Sequence, residues 1–378
     1  MTGVNGIAIT DKEGTIMSTD QAAPSTTELD EAKIEAFAGQ VMTDLATVLA
    51  GATLYIGHHA GLYAAMAEGE PLTADEVARK AGAHPRYVRE WLGAQAASGY
   101  VEYDPAHGSY RLPAEHAAVL VATSSPAYLA GATDAVAAIW AAADRIATDV
   151  TAGQGVPWSE HDPRLFIGTE EMFRPGYETF LTSEWIPSLD GIAEKLQAGG
   201  RVADVGCGHG VSTIVMARSF PASQIHGFDG HDASIATARQ RAADAGVSGN
   251  TRFEVALSTE LPAGDYDLVC FFDALHDMGD PVGALVRARQ ALKPDGAVML
   301  IEPLAGDRVE DNLTPVGRLF YSASTLVCTA NGIAQGNKPV LGAQAGEAAL
   351  THVFAQAGFT RVRRTTETPV NMVLEARP

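Results

Sequence analysis

The chain has 378 residues, of which 46% are hydrophobic and 19% are charged. This length predicts two domains or three small ones, and the apolar content excludes wholesale disorder. Basic residues number 26 and acidic residues 46, a formal net charge of −20 that disfavours nucleic acid and anionic lipid as partners. Three cysteines, Cys207, Cys270 and Cys328, cannot build a disulfide framework and lack the spacing of metal ligands.

The sequence shows no pattern typical of a targeting signal or a membrane span. The sequence has no uninterrupted apolar stretch of about 18 residues, so we expect no membrane span. Residues 1–20 lack the basic-then-apolar pattern of a signal peptide. Residues 1–28 are polar and poor in aromatic side chains, which predicts a disordered leader. These features together predict a cytoplasmic protein.

Residues 29–113 show the pattern of a small helical domain that ends in a β-hairpin. At its start, apolar side chains recur every three or four positions, which predicts a helix with one apolar face: Ile34, Phe37, Val41, Leu45, Val48 and Leu49. Thr73 and Glu76 have the spacing of a capping box at the start of a later helix, and Pro85 begins the next helix. Two short strands around residues 104–109 complete the pattern of a winged helix.

A winged helix can bind DNA or serve as a packing and dimerisation domain. The second helix offers Arg86 and Arg89, as a DNA-binding helix would. However, residues 33–113 contain nine acidic and only six basic side chains, whereas a DNA-binding domain normally has a basic face. We therefore favour dimerisation and predict a homodimer through the N-terminal region.

Residues 114–194 form an alanine-rich segment that predicts helices, with a break over residues 151–157. Its second half is rich in aromatic side chains, among them Trp158, Phe173 and Tyr177. Two interpretations are open. These side chains pack helices together, or they form a wall of a substrate pocket.

From residue 195 to residue 378 the pattern changes to alternating strands and helices. Such alternation predicts an α/β domain with a Rossmann-like, doubly wound sheet, here of seven strands: 202–205, 224–228, 252–255, 268–272, 297–301, 360–364 and 370–375. The last two strands are close in sequence, which predicts a terminal antiparallel hairpin.

A glycine-rich loop follows the first predicted strand. The sequence Gly206-Cys207-Gly208-His209-Gly210 lets the backbone approach a ligand at the strand's carboxyl end. The dinucleotide fingerprint requires glycine at position 211, where Val211 stands, so an NAD-dependent oxidoreductase is disfavoured. Asp204 suits an ammonium group better than a pyrophosphate. Asp229 follows Gly206 by 23 residues, near the spacing of an acid that binds ribose hydroxyls.

Together with Asp267-Leu268-Val269 and Leu292-Lys293-Pro294-Asp295-Gly296, these motifs resemble the class I S-adenosylmethionine-dependent methyltransferases. The resemblance implies S-adenosyl-L-methionine as cofactor. It places the methionine part near Asp204 and the glycine loop, and the ribose on Asp229. The remaining cofactor contacts that it implies come from Gly230, from Leu257 and Ser258 in the loop after the third strand, and from Phe272 and Asp273 after the fourth. The whole architecture is similar to small-molecule O-methyltransferases and their mycobacterial winged-helix relatives.

Two residues are candidates for catalysis. His276 follows the fourth strand and Glu302 ends the fifth, which should be its neighbour. A histidine oriented by a carboxylate is a good base near neutral pH, and the small-molecule O-methyltransferases have such a pair in a similar context. Met278 stands where those enzymes have tryptophan. The alternative is that His276 only packs in the loop.

A metal is not expected. The catechol-type enzymes bind one partly through Asp-Asn after the fifth strand, where this chain has Glu302-Pro303, and His58, His59 and His161 lack partner spacing. Residues 304–345 are predicted to form a lid or binding loop, with Phe320 and Tyr321 helping to close an apolar pocket. The sequence thus predicts methyl transfer to a small molecule, at a hydroxyl oxygen. A winged-helix transcriptional regulator and a non-methylating cyclase remain the alternatives.

Overall fold

The computed structural model describes residues 29–336 and 339–378, so the predicted leader lies outside the described residues. The chain divides into two compact units, one ending at Leu49 and the other spanning Ala50–Pro378. Helix α1 (Glu31–His59) continues across this boundary. By length and composition alone α1 is also apolar enough to cross a membrane, with a mean hydropathy of 1.2 in a window of which no part is buried. The expectation that the chain has no membrane span therefore stays a prediction.

The first unit consists, in its described part, of the N-terminal turns of α1. The apolar residues that predicted one helical face are exposed, most strongly Leu49 at 70% and Phe37 at 64%. Hydrophobic side chains of this size are rarely left in contact with water over a contiguous surface unless another molecule covers them. The helix itself is confirmed, and its apolar face lacks cover within the described chain.

The predicted winged helix is confirmed at the start of the second unit. It consists of α2 (Leu62–Ala65), α3 (Ala74–Ala81), α4 (Pro85–Ala97), β1 (Glu102–Asp104) and β2 (Ser109–Arg111). The capping box is present, since Glu76 accepts the backbone N–H of Thr73 at 2.8 Å and Thr73 Oγ1 accepts the N–H of Glu76 at 3.4 Å. Tyr63, Trp91 and Leu92 are buried in the core of this domain.

Helices follow the wing, as the alanine-rich segment predicted. They are α5 (Ala114–Leu120), α6 (Thr133–Ala141), α7 (Ala143–Ala152), α8 (Arg164–Phe180) and α9 (Ile192–Gln197). The predicted break is present, because α7 ends at Gly153 in the left-handed conformation with φ 65°. Helix α8 packs against α6 and reaches the sheet domain through Tyr177, whose ring lies 5.4 Å from that of Phe272.

The seven-stranded sheet is confirmed. Its strands are β3 (Arg201–Val205), β4 (Gln224–Asp229), β5 (Thr251–Val255), β6 (Tyr266–Phe272), β7 (Leu292–Pro303), β8 (Arg361–Glu367) and β9 (Asn371–Arg377). They lie in the order β5-β4-β3-β6-β7-β9-β8. The predicted hairpin is present, with β9 antiparallel to both β7 and β8. Because the chain leaves β3 towards β4 and returns on its other side as β6, the strand order switches direction between β3 and β6.

Helices cover the sheet and fill the long connection after β7. They are α10 (Val211–Ser219), α11 (Asp232–Asp244), α12 (Pro281–Ala291), α13 (Pro315–Ala323), α14 (Thr329–Ala334) and α15 (Gly346–Gln356). The described part of residues 304–345, predicted to form a lid or binding loop, is largely helical, and Asn331 and Gln335 from this segment line the cavity described below. A π-helical turn at Ser324–Cys328 joins α13 to α14, and such turns are frequent at functional sites.

Candidate functional site

A cavity of about 350 Å³ lies where the strand order switches. In open α/β sheets ligands bind at this place, outside the carboxyl ends of the strands. The cavity is lined by most of the residues predicted to bind a cofactor: Gly206, Gly208, Asp229, Gly230, Leu257, Ser258, Phe272 and Asp273. The exception is Asp204, which is fully buried behind the loop.

The glycine loop turns sharply between β3 and α10. Gly206 has φ 82°, and a Cβ at this position would lie 2.8 Å from the Cβ of Ala274. Any side chain would therefore clash there as well as strain the backbone. Asp229 stabilises the loop by accepting the backbone N–H of Gly208 at 2.9 Å. It also accepts the backbone N–H of His231 at 2.8 Å. Burial raises the pKa of Asp229 above its usual value.

Asp204 carries a buried carboxyl group that is only half satisfied. Its Oδ2 accepts hydrogen bonds from Ser212 Oγ and Thr213 Oγ1, both at 2.6 Å. Its Oδ1 is buried and has no hydrogen-bond partner among the described residues. Burial raises the pKa of Asp204 to about 6. An unpaired carboxylate oxygen beside the glycine loop suits a cationic ligand group, as the sequence predicted.

Asp273 sits in a strained backbone conformation at the end of β6. Its φ is 47°, in the left-handed region that costs a non-glycine residue energy and that clusters at functional sites. Asn371 Nδ2 donates to Asp273 Oδ1 at 2.7 Å, and Tyr177 Oη donates to Oδ2 at 3.5 Å. Burial, together with the nearby charge of Glu302, raises the pKa of Asp273 well above its usual range.

Aromatic side chains form part of the cavity wall. Trp158, Phe173 and Tyr177 line it, as predicted for a pocket wall. Phe320 and Tyr321 are not among the lining residues, so this structure does not bring them to the cavity as predicted. Phe320 is instead buried in a separate cluster with Leu165 and Val327, because α13 turns its apolar face towards the preceding helices.

His276 and Glu302 form a buried pair behind the cavity. His276 Nδ1 is hydrogen-bonded to Glu302 Oε2, and the backbone N–H of His276 donates to Glu302 Oε1 at 3.2 Å. Burial opposes a charge on the imidazole, but the carboxylates of Glu302 and Asp277 hold its pKa well above the usual value. Neither residue of the pair lines the cavity, whereas Asp277 does.

Several lining residues escaped the sequence analysis. Glu170 on α8 contacts His209 Nδ1 at 2.7 Å and is paired with Arg241. Burial opposes its charge, but hydrogen bonds from these two partners lower the pKa of Glu170. Asn331 on α14 accepts the backbone N–H of Trp158 at 3.0 Å. Neither residue belongs to a motif, so no local signal in the sequence marked them.

The histidines that lacked partner spacing in the sequence have different surroundings. His59 Nε2 lies 3.1 Å from Asp134 Oδ1. His161 is buried, and both of its ring nitrogens lack a partner within the described chain.

Comparison with known protein families supports the assignment of both the winged-helix domain and the sheet domain. A family model for an Rv2258c-like winged HTH domain matches residues 49–122, and one for a methyltransferase domain matches residues 196–358. The predicted resemblance to the class I S-adenosylmethionine-dependent methyltransferases is confirmed by a winged HTH domain followed by a methyltransferase domain. The orphaned oxygen of Asp204, the cradle at Gly206 and the position of Asp229 fit the ammonium and ribose groups of that cofactor.

Two relatives illustrate what this methyltransferase resembles in sequence. The ubiquinone biosynthesis O-methyltransferase of Pseudomonas aeruginosa is 30% identical over 134 residues, which cover 35% of this chain and 54% of that protein. The match thus spans about half the length of that relative. The acetylserotonin O-methyltransferase of Mus musculus is 28% identical over 360 residues, which cover 87% of this chain and 86% of the mouse protein.

Solved structures resemble the methyltransferase over nearly its whole length. Human N-acetylserotonin methyltransferase in complex with S-adenosylmethionine has a TM-score of 0.65 at 19% identity, covering 93% of this chain and 99% of that chain. The O-methyltransferase NcsB1 from neocarzinostatin biosynthesis, solved with S-adenosyl-L-homocysteine and 1,4-dihydroxy-2-naphthoic acid, has a TM-score of 0.61 at 22% identity, with coverage of 90% and 99%. The predicted fold class, family and cofactor are confirmed.

Proposed function

We propose that this protein transfers a methyl group from S-adenosylmethionine to a hydroxyl oxygen of a small aromatic or polyketide-like molecule. The observation that carries the proposal is that one cavity is lined both by Asp229 with the glycine loop and by the aromatic side chains of Phe173 and Tyr177. We assign the first set to the cofactor end of the cavity and the second to its acceptor end. An apolar wall with few polar groups suits an acceptor of this class.

We assign the cofactor contacts to the residues at the cofactor end of the cavity. Asp229 accepts hydrogen bonds from the ribose hydroxyls, Gly206 and Gly208 permit close approach, and Leu257 and Ser258 flank the adenine. Asp204 lies deeper and attracts the ammonium group through its unpaired Oδ1. The cofactor supplies an electrophilic methyl group on a positively charged sulfur.

His276 serves as the base in this proposal. In its neutral form the ring takes the proton of the acceptor hydroxyl at Nε2 while the oxygen gains the methyl group. Glu302 keeps Nδ1 hydrogen-bonded, fixes the ring and stabilises the imidazolium that forms. The imidazole is in contact with the thiol of Cys328, so the side chain of Cys328 must move aside before an acceptor reaches His276.

Two observations favour dimerisation over DNA binding for the winged helix. The arginines on α4 are already paired, Arg86 with Glu90 and Arg89 with Asp75 at 3.3 Å, which leaves little free positive charge for phosphates. The apolar face of α1 is exposed. We infer a homodimer that is formed through α1, a cytoplasmic location, and domain limits at residues 29–113, 114–194 and 195–378.

Calorimetry with S-adenosyl-L-homocysteine and with NAD, run in parallel on the purified protein, tests the cofactor assignment. We expect binding of the first and none of the second. Methyl transfer is then measured with labelled S-adenosylmethionine and a panel of phenols and naphthols, with aromatic amines as the comparison. Turnover of the amines alone would overturn the assignment of oxygen as the acceptor atom, and binding of NAD alone would overturn the assignment of the cofactor.

A further inference from the structure

The loop after β6 and the π-helical turn after α13 bring three metal-ligating side chains together. Ligand atoms of His276, Asp277 and Cys328 all lie within 4.8 Å of one another. His276 Nε2 is 3.2 Å from Asp277 Oδ1, and the thiol of Cys328 contacts both residues. In tetrahedral zinc sites, with bonds of about 2.0–2.3 Å, neighbouring ligand atoms are roughly 3.3–3.8 Å apart. The cluster therefore needs only small side-chain movements to reach that spacing.

The residues around the cluster are arranged as they are around known metal-binding sites. A metal-binding histidine almost always donates its other ring nitrogen to a carboxylate or carbonyl, and His276 Nδ1 is bound to Glu302 in this way. Asp277 Oδ1 is buried and accepts no hydrogen bond from the described residues, although His276 Nε2 lies 3.2 Å from it. His276 and Cys328 are 5% and 7% exposed, so both side chains are largely shielded from water.

The donor set and the position of Asp277 indicate which kind of metal fits. Nitrogen, oxygen and sulfur ligands together suit Zn²⁺, whereas Mg²⁺ and Ca²⁺ prefer oxygen alone. Three protein ligands leave a fourth coordination position, as in zinc sites that accept water or a small ligand. Since Asp277 also lines the cavity, the cluster adjoins the cavity.

We propose that His276, Asp277 and Cys328 bind one Zn²⁺ ion, with Glu302 fixing the histidine from behind. Binding forms bonds from the metal to His276 Nε2, Asp277 Oδ1 and Cys328 Sγ, and it releases the thiol proton, together with the Nε2 proton of any charged imidazole, to solvent. The ion occupies the nitrogen that acts as the base, so Zn²⁺ inhibits methyl transfer. That inhibition rests on the proposed function, whereas the binding itself rests on geometry alone.

Binding is tested on the full chain without reference to activity. The metal-free protein is titrated with Co²⁺ as a spectroscopic probe, and Zn²⁺ affinity is then measured by displacement. We expect one equivalent of Co²⁺ to produce thiolate-to-metal charge-transfer absorption, which Zn²⁺ abolishes. Cys328→Ser should lose this absorption and weaken Zn²⁺ binding at least about 100-fold, because loss of a ligand costs more than loss of an outer partner.

Two further variants guard against effects of misfolding. Asp277→Asn alters a side chain that is partly exposed, and it should weaken Zn²⁺ binding while keeping the absorption band. Cys270→Ser removes a buried thiol in β6 that is not part of the cluster, and it should leave both measurements unchanged. A wild-type protein without the charge-transfer band, or a Cys328→Ser protein with the same band, would overturn the proposal. Neither result touches the assignment of the methyl-transfer reaction.

Discussion

Asp229 and Gly208 are joined by a hydrogen bond of 2.9 Å from the glycine's backbone N–H to the carboxylate. The acid that ends β4 therefore holds the loop that follows β3, on the neighbouring strand. Both of its oxygens already accept backbone donors, since His231 binds the other at 2.8 Å. The carboxylate is thus oriented before any ligand arrives, with lone pairs left for hydroxyl groups.

Replacing Asp229 should weaken cofactor binding. Asp229→Ala removes charge-assisted hydrogen bonds to the ribose as well as the support of Gly208, so we expect a loss of about 1.5–3 kcal/mol, or roughly 10- to 150-fold in the dissociation constant of S-adenosyl-L-homocysteine. Calorimetry measures it. Asp232→Ala, at an exposed position at the start of α11, is the control and should bind normally. An unchanged constant for Asp229→Ala would contradict the ribose assignment.

Replacing His276 should slow the chemical step without changing cofactor affinity. We expect His276→Ala to reduce the single-turnover rate of methylation by about 10²–10⁴-fold, the usual contribution of a general base. Glu302→Gln should cost less, because the amide keeps the shape of the side chain but loses its charge. His352→Ala, on the exposed side of α15, serves as the matched control. A His276→Ala protein that reacts at full rate would show that the histidine only shapes the site.

Burial of Asp204 should make the cofactor-free protein less stable as the pH rises. Its pKa is raised to about 6 in the folded state and is near 3.9 in an unfolded chain. Between these values the folded state binds more protons, so this group's contribution to stability is largest below about pH 4 and is lost as the pH rises through about 6. The total is about 2–3 kcal/mol.

Urea unfolding between about pH 4 and pH 7 checks the stability prediction. The Asp204→Asn variant keeps an oxygen for Ser212 and Thr213 but does not ionise, so its unfolding free energy should lack this component of the pH dependence. Asp244→Asn, at the exposed end of α11, should behave as the wild type does. Equal pH slopes for wild type and Asp204→Asn would mean that the buried carboxyl does not titrate in this range.

A charge on the apolar face of α1 should dissociate the proposed dimer. Leu45 is 55% exposed and lies two turns from Phe37 on the same face, so Leu45→Glu introduces an unpaired charge into the contact. Light scattering at micromolar concentration should then give the monomer mass. Thr43→Glu, on the opposite face, should remain dimeric. A monomeric wild type, or wild type recovered in the membrane fraction, would contradict the assignment of α1 as a dimer contact.

The fold was predictable because its signals are local. The capping box at Thr73 and Glu76, the strand patterns and the glycine loop are each contained within a few consecutive residues, and each is present in the structure. The cofactor end of the cavity follows from them, since parallel strands end at one edge. The exception is Asp204, which is buried and does not line the cavity. Its carboxylate accepts hydrogen bonds from Ser212 and Thr213 on α10.

The acceptor end was less predictable because it depends on contacts between distant helices. Glu170 reaches His209 across 39 positions, and a lone glutamate on a helix normally indicates only a solvated face. Phe320 was expected at the pocket, but apolar packing against Leu165 buries it elsewhere. Cys328, which contacts His276, is the last residue of a π-helical turn. No residue pattern in the sequence predicts such a turn.

The contact between Glu170 and His209 joins helix α8 to the glycine loop. The same helix supplies Phe173 and Tyr177, which line the cavity and which we assign to the acceptor. Any displacement of this helix on acceptor binding would change the free energy of cofactor binding, and by reciprocity the cofactor would change acceptor affinity by the same factor. A single carboxylate outside every motif is therefore the contact through which the two affinities would be coupled.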